Sequence, residues 1–362
     1  MSQHHTRKND NQTRATLIEP VNPARRGLLK AAGSVALSAP LLAASSILGN
    51  NAWAETASTK PAGKLIPLSF AWNQTAFCFT PVAIAKETGI FEKNGLDISL
   101  VNYAGSTDQL MEALATGKSD AGVGMIHRWL KPLESGFNVK IVAGLHGGCV
   151  RLVGYKPAGI TQLSDLRGKA IGVPDLGAPA KHFFSIYLKK HGIDPEREIT
   201  WKVYQGNLLG LAAEKGEIQA VADGDPNIFT IERDSQGKFL ELATNTTGEY
   251  HDKVCCVLGV GGELVRNNRP AVAALARSLV EAYEWASANL VESAKIFHKY
   301  TANISQDELG ALYKTLNLHN HPIGTDLRDD IAFYAQDFKG LGVLKAGTDP
   351  KKFADHIFVQ VL

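Results

Sequence analysis

The sequence predicts an α/β protein of two lobes, joined by a hinge and enclosing a ligand cleft between them. Three observations carry this expectation. The stretch from Leu65 to Val101 reads strand, helix, strand, which is one βαβ unit. Two later segments, "LMEALATGKSDAGVG" and "LLGLAAEKGEIQAVADG", share one order: apolar helix, glycine stop, polar turn, small-residue strand. A strand at Cys255–Val265 then leads the chain back from the second lobe to the first.

The elements follow in order. The apolar run Leu65–Trp72 predicts a buried strand. Thr80 suits a helix N-cap and Pro81 the first turn. Val82, Ile84 and Ala85 give that helix an apolar stripe, and Gly89 stops it. Phe91 closes over the helix end, Gly95 turns the chain, and Leu96–Val101 alternates as a strand. A helix at Ser106–Gly117 leads into a strand at Asp120–Met125, and a helix at His127–Gly136 leads into Val139–Leu145. Val150–Tyr155 crosses into new territory. There the pattern gives strand Lys169–Pro174, helix Ala178–Gly192, strand Ile199–Tyr204, helix Asn207–Glu217 and strand Ile218–Gly224. Helices run from Arg269 to the C-terminus and end in a packed "KKFADHIFVQ". The expected division is a first lobe of residues 64–155 plus 250–362, with the C-terminal helices, and a second lobe of residues 156–249.

The N-terminus reads as an address. "ARRGLLK" at Ala24–Lys30, a weakly apolar Ala/Ser-rich run and "AWA" at Ala52–Ala54 follow the grammar of an export signal cleaved after Ala54. The Arg25–Arg26 pair resembles a twin-arginine signal, with Ala24 and Leu28 departing from its usual pattern. Pro40 and the small polar residues make the run a poor membrane span. A polar linker fills residues 55–63. The expected location is the periplasm, with the signal removed.

Composition excludes one partner class. The chain has 362 residues, 44% of them hydrophobic and 20% charged, as in a globular protein with two sizeable cores. Six of the 38 bases and two of the 36 acids lie in the first 54 residues. The remainder therefore holds 32 bases against 34 acids, a net of −2. That balance gives no basic face for nucleic acid.

Several stretches together resemble a known family. "PVAIAKETGIFEKNGLDISLV" resembles the first βαβ unit of ABC-transporter solute-binding proteins of the sulfonate/nitrate/taurine type, in the run Gly-x-Phe-x-x-x-Gly-Leu. "LMEALATGKSDAGVG", "LSDLRGKAIGVP" and "GEIQAVADGDP" match later segments of that family, so the likeness extends from about Lys64 to Leu362. It implies a type II periplasmic binding fold, hinge closure on a small solute, and delivery to an ABC permease driven by a cytoplasmic ATPase. This chain carries no phosphate-binding Lys loop, so the ATPase is expected to be a separate subunit. A non-enzymatic monomer without a cofactor is expected. The implied ligand is a small organic solute, sulfonate- or taurine-like or a nitrogen-containing heteroaromatic.

Carried over by position, the ligand contacts fall in loops after the strands. They are Asn73, Gln74, Phe77, Cys78, Gly105, Ser106, Met125, His127, His146 and Cys149 in the first lobe, and Asp175, Gly177, Asn207, Asp223 and Asp225 in the second. Donors at the Thr80 helix start are expected to point into the cleft. Carboxylates facing a cleft favour N–H donors or positive charge over a bare oxoanion, although Asp175 and Asp225 are equally suited to capping or turning the chain. Asp223, at a strand end, is the stronger ligand candidate. The aromatics Trp72, Phe77, Phe79, Trp129 and Phe183 could stack on a planar solute, though most aromatics at such spacings are core.

The run "GLHGGC" at Gly144–Cys149 is unusual. His146 and Cys149 are possible metal ligands, with Cys78 and His127 joining if their loops converge. No paired-cysteine spacing supports them, so no metal is expected, and the alternative reading is an exported metal-binding protein or enzyme built on His146, Cys149 and Cys78. Cys255 and Cys256, adjacent on a predicted strand, should point to opposite faces. The pair resembles part of the cysteine cluster of an iron-dependent pyrimidine synthase that shares this fold. The full cluster is absent, so the likeness argues for a heteroaromatic ligand more than for catalysis, and two small buried residues are the reading favoured over either.

Overall fold

A computed structural model describes residues 63–103 and 107–362. The expected export signal, the expected linker up to residue 62 and the expected contacts Gly105 and Ser106 lie outside the described residues. The chain opens with β1 (Ile66–Trp72), α1 (Thr80–Glu87), α2 (Ile90–Lys93), β2 (Leu96–Asn102), α3 (Thr107–Ala115), β3 (Ala121–Met125), α4 (Ile126–Glu134) and β4 (Val139–His146). It crosses into β5 (Val150–Tyr155), β6 (Lys169–Val173), α5 (Pro179–Lys190), β7 (Ile199–Val203), α6 (Leu209–Glu214), β8 (Ala220–Gly224), α7 (Asn227–Asp234) and β9 (Phe239–Thr244). It returns through β10 (Cys256–Gly261) into α8 (Gly262–Asn267), α9 (Arg269–Ala288), α10 (Leu290–His298), α11 (Gln306–Tyr313), α12 (Gly324–Leu341) and α13 (Pro350–Ile357).

Two five-stranded sheets repeat one plan. The first has the order β2-β1-β3-β10-β4 and the second β7-β6-β8-β5-β9. In each, the edge strand, its neighbour and the third strand run parallel. The fourth strand is reversed: β10 runs antiparallel to β3 and β4, and β5 to β8 and β9. The reversed strand is in each sheet the one that has just crossed over. Both crossings insert into a sheet interior, where Val257, Leu258 and Val260 of β10 are fully buried. Each such side chain contributes about 1.5–3 kcal/mol of burial. β5 belongs to the second sheet, so the crossing itself is the short segment 147–149.

The glycines that stop helices do so as expected. Gly89 takes a left-handed φ of 75° after α1, and Gly95 one of 82° before β2. The start of α1 differs from expectation. A 3-10 turn at Phe77–Phe79 runs directly into the helix, Phe79 takes the N-cap position, and the buried Thr80 hydroxyl donates back to the Phe77 carbonyl at 2.6 Å. Thr80 therefore closes the local turn and does not reach into the cleft.

The returning strand is shorter than Cys255–Val265. It ends at Gly261, where the Gly261 and Gly262 amides leave the ladder for the carbonyls of Asp120 and Asn138, and α8 begins. The sequence reading also missed α7 and β9. The C-terminal segment packs as expected: Asp349 caps α13, and Val359 donates to the Ile141 carbonyl at 3.0 Å, tying the tail to β4. Among the described residues no helix is long and apolar enough to cross a membrane.

Candidate functional site: the cleft between the lobes

The carboxyl ends of β3, β6 and β8 and the loop after β1 face one another across a cleft of about 480 Å³. Open α/β sheets place ligands at such strand ends. The first lobe contributes Asn73, Thr75, Cys78, Met125 and Arg128. The second contributes Asp175, Asp223, Asp225 and Asn227, and Tyr300–Asn303 after α10 close one side.

Charge in the cleft is uneven. Arg128 enters from the first turn of α4, and its Nη1 donates to both Asp175 oxygens, at 2.8 and 3.1 Å. Asp175 also accepts from the Gly177 amide at 2.7 Å. Asp225 is held in place: it accepts from the Phe229 amide at 3.0 Å and lies 3.7 Å from Arg151, which also pairs with Glu232 and Glu241. Asp223 has only neutral partners, the Asn227 amide group and the Gly224 N–H, both at 2.8 Å. Desolvation, with the charges of Asp225 and Asp175 adding, pushes its carboxyl up to about 6, against those two hydrogen bonds. Among the described residues no basic side chain pairs with it. Its carboxylate is the uncompensated charge of the cleft.

At the floor, four thiols and one imidazole come together. Cys78 follows β1, His146 ends β4, Cys149 sits in the crossing, and Cys255 and Cys256 begin the return. All are buried. The ligand atoms of Cys78, His146, Cys149 and Cys256 lie within 4.8 Å of one another. The Cys149 and Cys255 sulfurs are 3.6 Å apart, and those of Cys78 and Cys256 4.0 Å. Cys255 and Cys256 do not diverge to opposite faces, because Cys255 precedes the strand and the ladder shifts register just after Cys256. Hydrogen bonds from Cys149 and Cys256 favour the Cys78 thiolate, lowering that thiol to about 6, while burial drives the Cys256 thiol up. Burial also holds His146 below its ordinary value, hence neutral.

Gly147 and Gly148 make this convergence possible. A Cβ on Gly148 would sit 2.6 Å from the Asn245 carbonyl oxygen, a backbone atom that cannot swing away. Asn245 in turn accepts from the Val150 amide at 2.9 Å and donates to the Cys255 sulfur at 3.5 Å. One side chain thus joins the outgoing and returning segments.

Over residues 76–293, more than half of the chain, the sequence matches the family described as NMT1/THI5 like. The chain belongs to that family. Among its relatives is a Brucella abortus (strain 2308) protein named only as a binding protein, 29% identical over 75% of this chain and 84% of its own length. A Saccharomyces cerevisiae relative, 24% identical over 65% of this chain and 71% of its own, is named 4-amino-5-hydroxymethyl-2-methylpyrimidine phosphate synthase. The fold of this NMT1/THI5-like chain is similar to that of the alkanesulfonate-binding protein of Xanthomonas axonopodis pv. citri bound to MOPS. That likeness has a TM-score of 0.67 at 18% identity, covering 83% of this chain and all of the other. The periplasmic nitrate-binding protein of Synechocystis PCC 6803 gives 0.66 at 16% identity, over 81% and 86% of the two chains. The architecture is the periplasmic binding protein fold, two α/β lobes about a hinge and cleft.

Of the contacts expected in this NMT1/THI5-like chain, Asn73, Cys78, Met125, Cys149, Asp175, Asp223 and Asp225 line the cleft. Others lie elsewhere. Phe77 is core, packed on Phe297 and Tyr313. Gln74 turns the chain through a hydrogen bond from its amide to Asn102. Asn207 lines a separate groove with Leu211 and Thr230. Gly177 stands behind Asp175. His127 is enclosed by Phe183, Tyr334 and Phe338, away from the thiols, with neither ring nitrogen hydrogen-bonded. Trp72, Phe77, Trp129 and Phe183 are buried in the core, whereas Phe79, itself largely buried, and Tyr300 line the cleft. The reading missed Arg128, Asn227 and Tyr300–Asn303. For Arg128 a signal existed: a helix that starts directly after a strand end places its first turn at the cleft.

Proposed function

We propose that this chain is the periplasmic substrate-binding component of an ABC importer. It captures a small organic solute between its lobes and delivers it to a membrane permease served by a separate ATPase, working as a monomer without a catalytic step. The matched family, the relatives named as binding proteins and the fold support this reading. An exported mature chain, cleaved after Ala54, fits it.

The observation that carries the reading is Asp223, a carboxylate without a cation partner lining the cleft. It favours a solute that presents N–H donors or a positive nitrogen, which a nitrogen-containing heteroaromatic or a taurine-like zwitterion supplies. A bare oxoanion would meet this carboxylate at a loss. Closure follows because a solute touching both Asp223 and the Arg128 side gains its second set of contacts only when the lobes approach.

Thermal-shift screening of the purified chain tests this, using aminopyrimidines and taurine-like amino-sulfonates alongside nitrate and amine-free alkanesulfonates. Stabilisation confined to nitrogen donors supports the reading. Stabilisation by nitrate or plain sulfonates alone overturns it.

A further inference from the structure

We infer that Cys78, His146, Cys149 and Cys256 form a site for one tetrahedral soft metal ion, zinc(II), at the hinge between the lobes. The inference goes beyond solute transport and does not depend on which solute is bound.

The donor set comes first. Three thiols and an imidazole from four separate segments place their ligand atoms within 4.8 Å of one another. A tetrahedral zinc site with bonds of about 2.3 Å has ligand–ligand edges of about 3.8 Å. The Cys78 and Cys256 sulfurs, two of the four donors, are 4.0 Å apart, close to that value. Donors this close leave room for one ion and not for a multinuclear cluster.

The imidazole is the second, independent observation. His146 Nδ1 is engaged with the Gly147 carbonyl, so Nδ1 carries the proton and Nε2 keeps its lone pair. Nε2 is buried and has no hydrogen-bond partner. An orphaned buried acceptor costs about 1–3 kcal/mol, and a metal ion removes that penalty. The neighbours resemble an outer shell: Tyr283 stacks on the imidazole and donates to the Cys78 carbonyl, and Asn245 holds Cys255 beside Cys149.

Charge selects the ion. Three thiolates with a divalent ion leave a net of −1, whereas a monovalent ion leaves −2. No basic side chain pairs with these residues among those described, so the smaller buried charge is favoured. His146, Cys149 and Cys256 lie where the chain leaves and re-enters the first sheet. A bound ion would therefore fasten both crossings together.

The test is elemental analysis of the full chain purified without chelator, with thiol counting by alkylation and mass spectrometry. The expected result is about one zinc per chain with all four cysteines reduced, and a loss of about tenfold or more in bound zinc in Cys256→Ala. His127→Ala, which alters a histidine outside the cluster, should keep its zinc. If Cys256→Ala fails to fold, cobalt(II) titration of the chelated wild-type chain replaces it. Saturation at one equivalent with a thiolate-to-cobalt charge-transfer band, displaced by zinc, supports the site. Two disulfides among the four cysteines, zinc retained in Cys256→Ala, or cobalt uptake without a thiolate band overturns it.

Discussion

Arg128 of the first lobe and Asp175 of the second are joined across the cleft at 2.8 Å, with the arginine side chain 7% exposed and the aspartate 42%. The pair holds the lobes together before any solute does. Because Asp175 is partly open to water, its contribution is discounted to about 1 kcal/mol or less.

Asp175→Asn should therefore shift the lobes toward opening by up to about fivefold in population. Small-angle scattering of the solute-free protein should register a larger radius of gyration, and the thermal midpoint should change little. An unchanged radius would mean that the ion pair does not govern closure.

Asp223→Asn keeps the shape of the side chain and removes its charge. For a nitrogen-donor solute, affinity should fall about tenfold to a hundredfold, the range for a hydrogen bond to a charged group. Isothermal titration measures it. An affinity equal to wild type would place the solute elsewhere in the cleft.

The Asp223 carboxyl also predicts two opposed pH dependences. Its folded-state value is raised from 3.8 to about 6, so between those values the folded protein holds the proton more tightly than the unfolded chain. Solute-free stability from this group is thus greatest at low pH and is lost as pH rises through that window. Binding of a cationic solute needs the carboxylate, so affinity should weaken about tenfold per pH unit below about 6. Denaturation and titration series across this range check both slopes, and Asp223→Asn should flatten both.

Gly148→Ala forces a methyl group against the Asn245 backbone. The expected loss is about 1–3 kcal/mol of stability. Asn245→Ala leaves the buried Val150 amide without its acceptor and should lose a similar amount. Chemical denaturation quantifies each. Because both act on the same contact, the double variant should lose less than the sum.

The sheet-and-helix plan was legible because it is local. Alternating and apolar runs bounded by glycine marked β1 to β8 within a few residues, and the duplicated helix-glycine-strand phrase pointed to a repeated lobe. Asp223 could be read because a carboxylate closing a strand has a position the fold defines. Arg128 was overlooked: a helix starting directly after a strand end marks its first turn as facing the cleft, but an arginine between Ile126 and Trp129 reads equally well as part of a solvated face. The thiol cluster was half legible. Cys78, His146 and Cys149 stood out by type, but no spacing relates them to Cys256, which lies more than a hundred residues beyond Cys149 and arrives only through a strand crossing. His127 was grouped with them on chemistry, and the packing of Phe183, Tyr334 and Phe338 separates it.

The interleaved strand order also sets an order of assembly. The second sheet is made entirely from one continuous stretch, β5 to β9, and has all its strands once Thr244 has been synthesised. The first sheet has a gap between β3 and β4 that only β10 fills, so its oldest strands wait for one of the youngest. The lobe begun first is the one completed last. Until Gly261 emerges, β4 has no neighbour to pair with, and any chain interrupted before that point carries one finished lobe and one with an open seam.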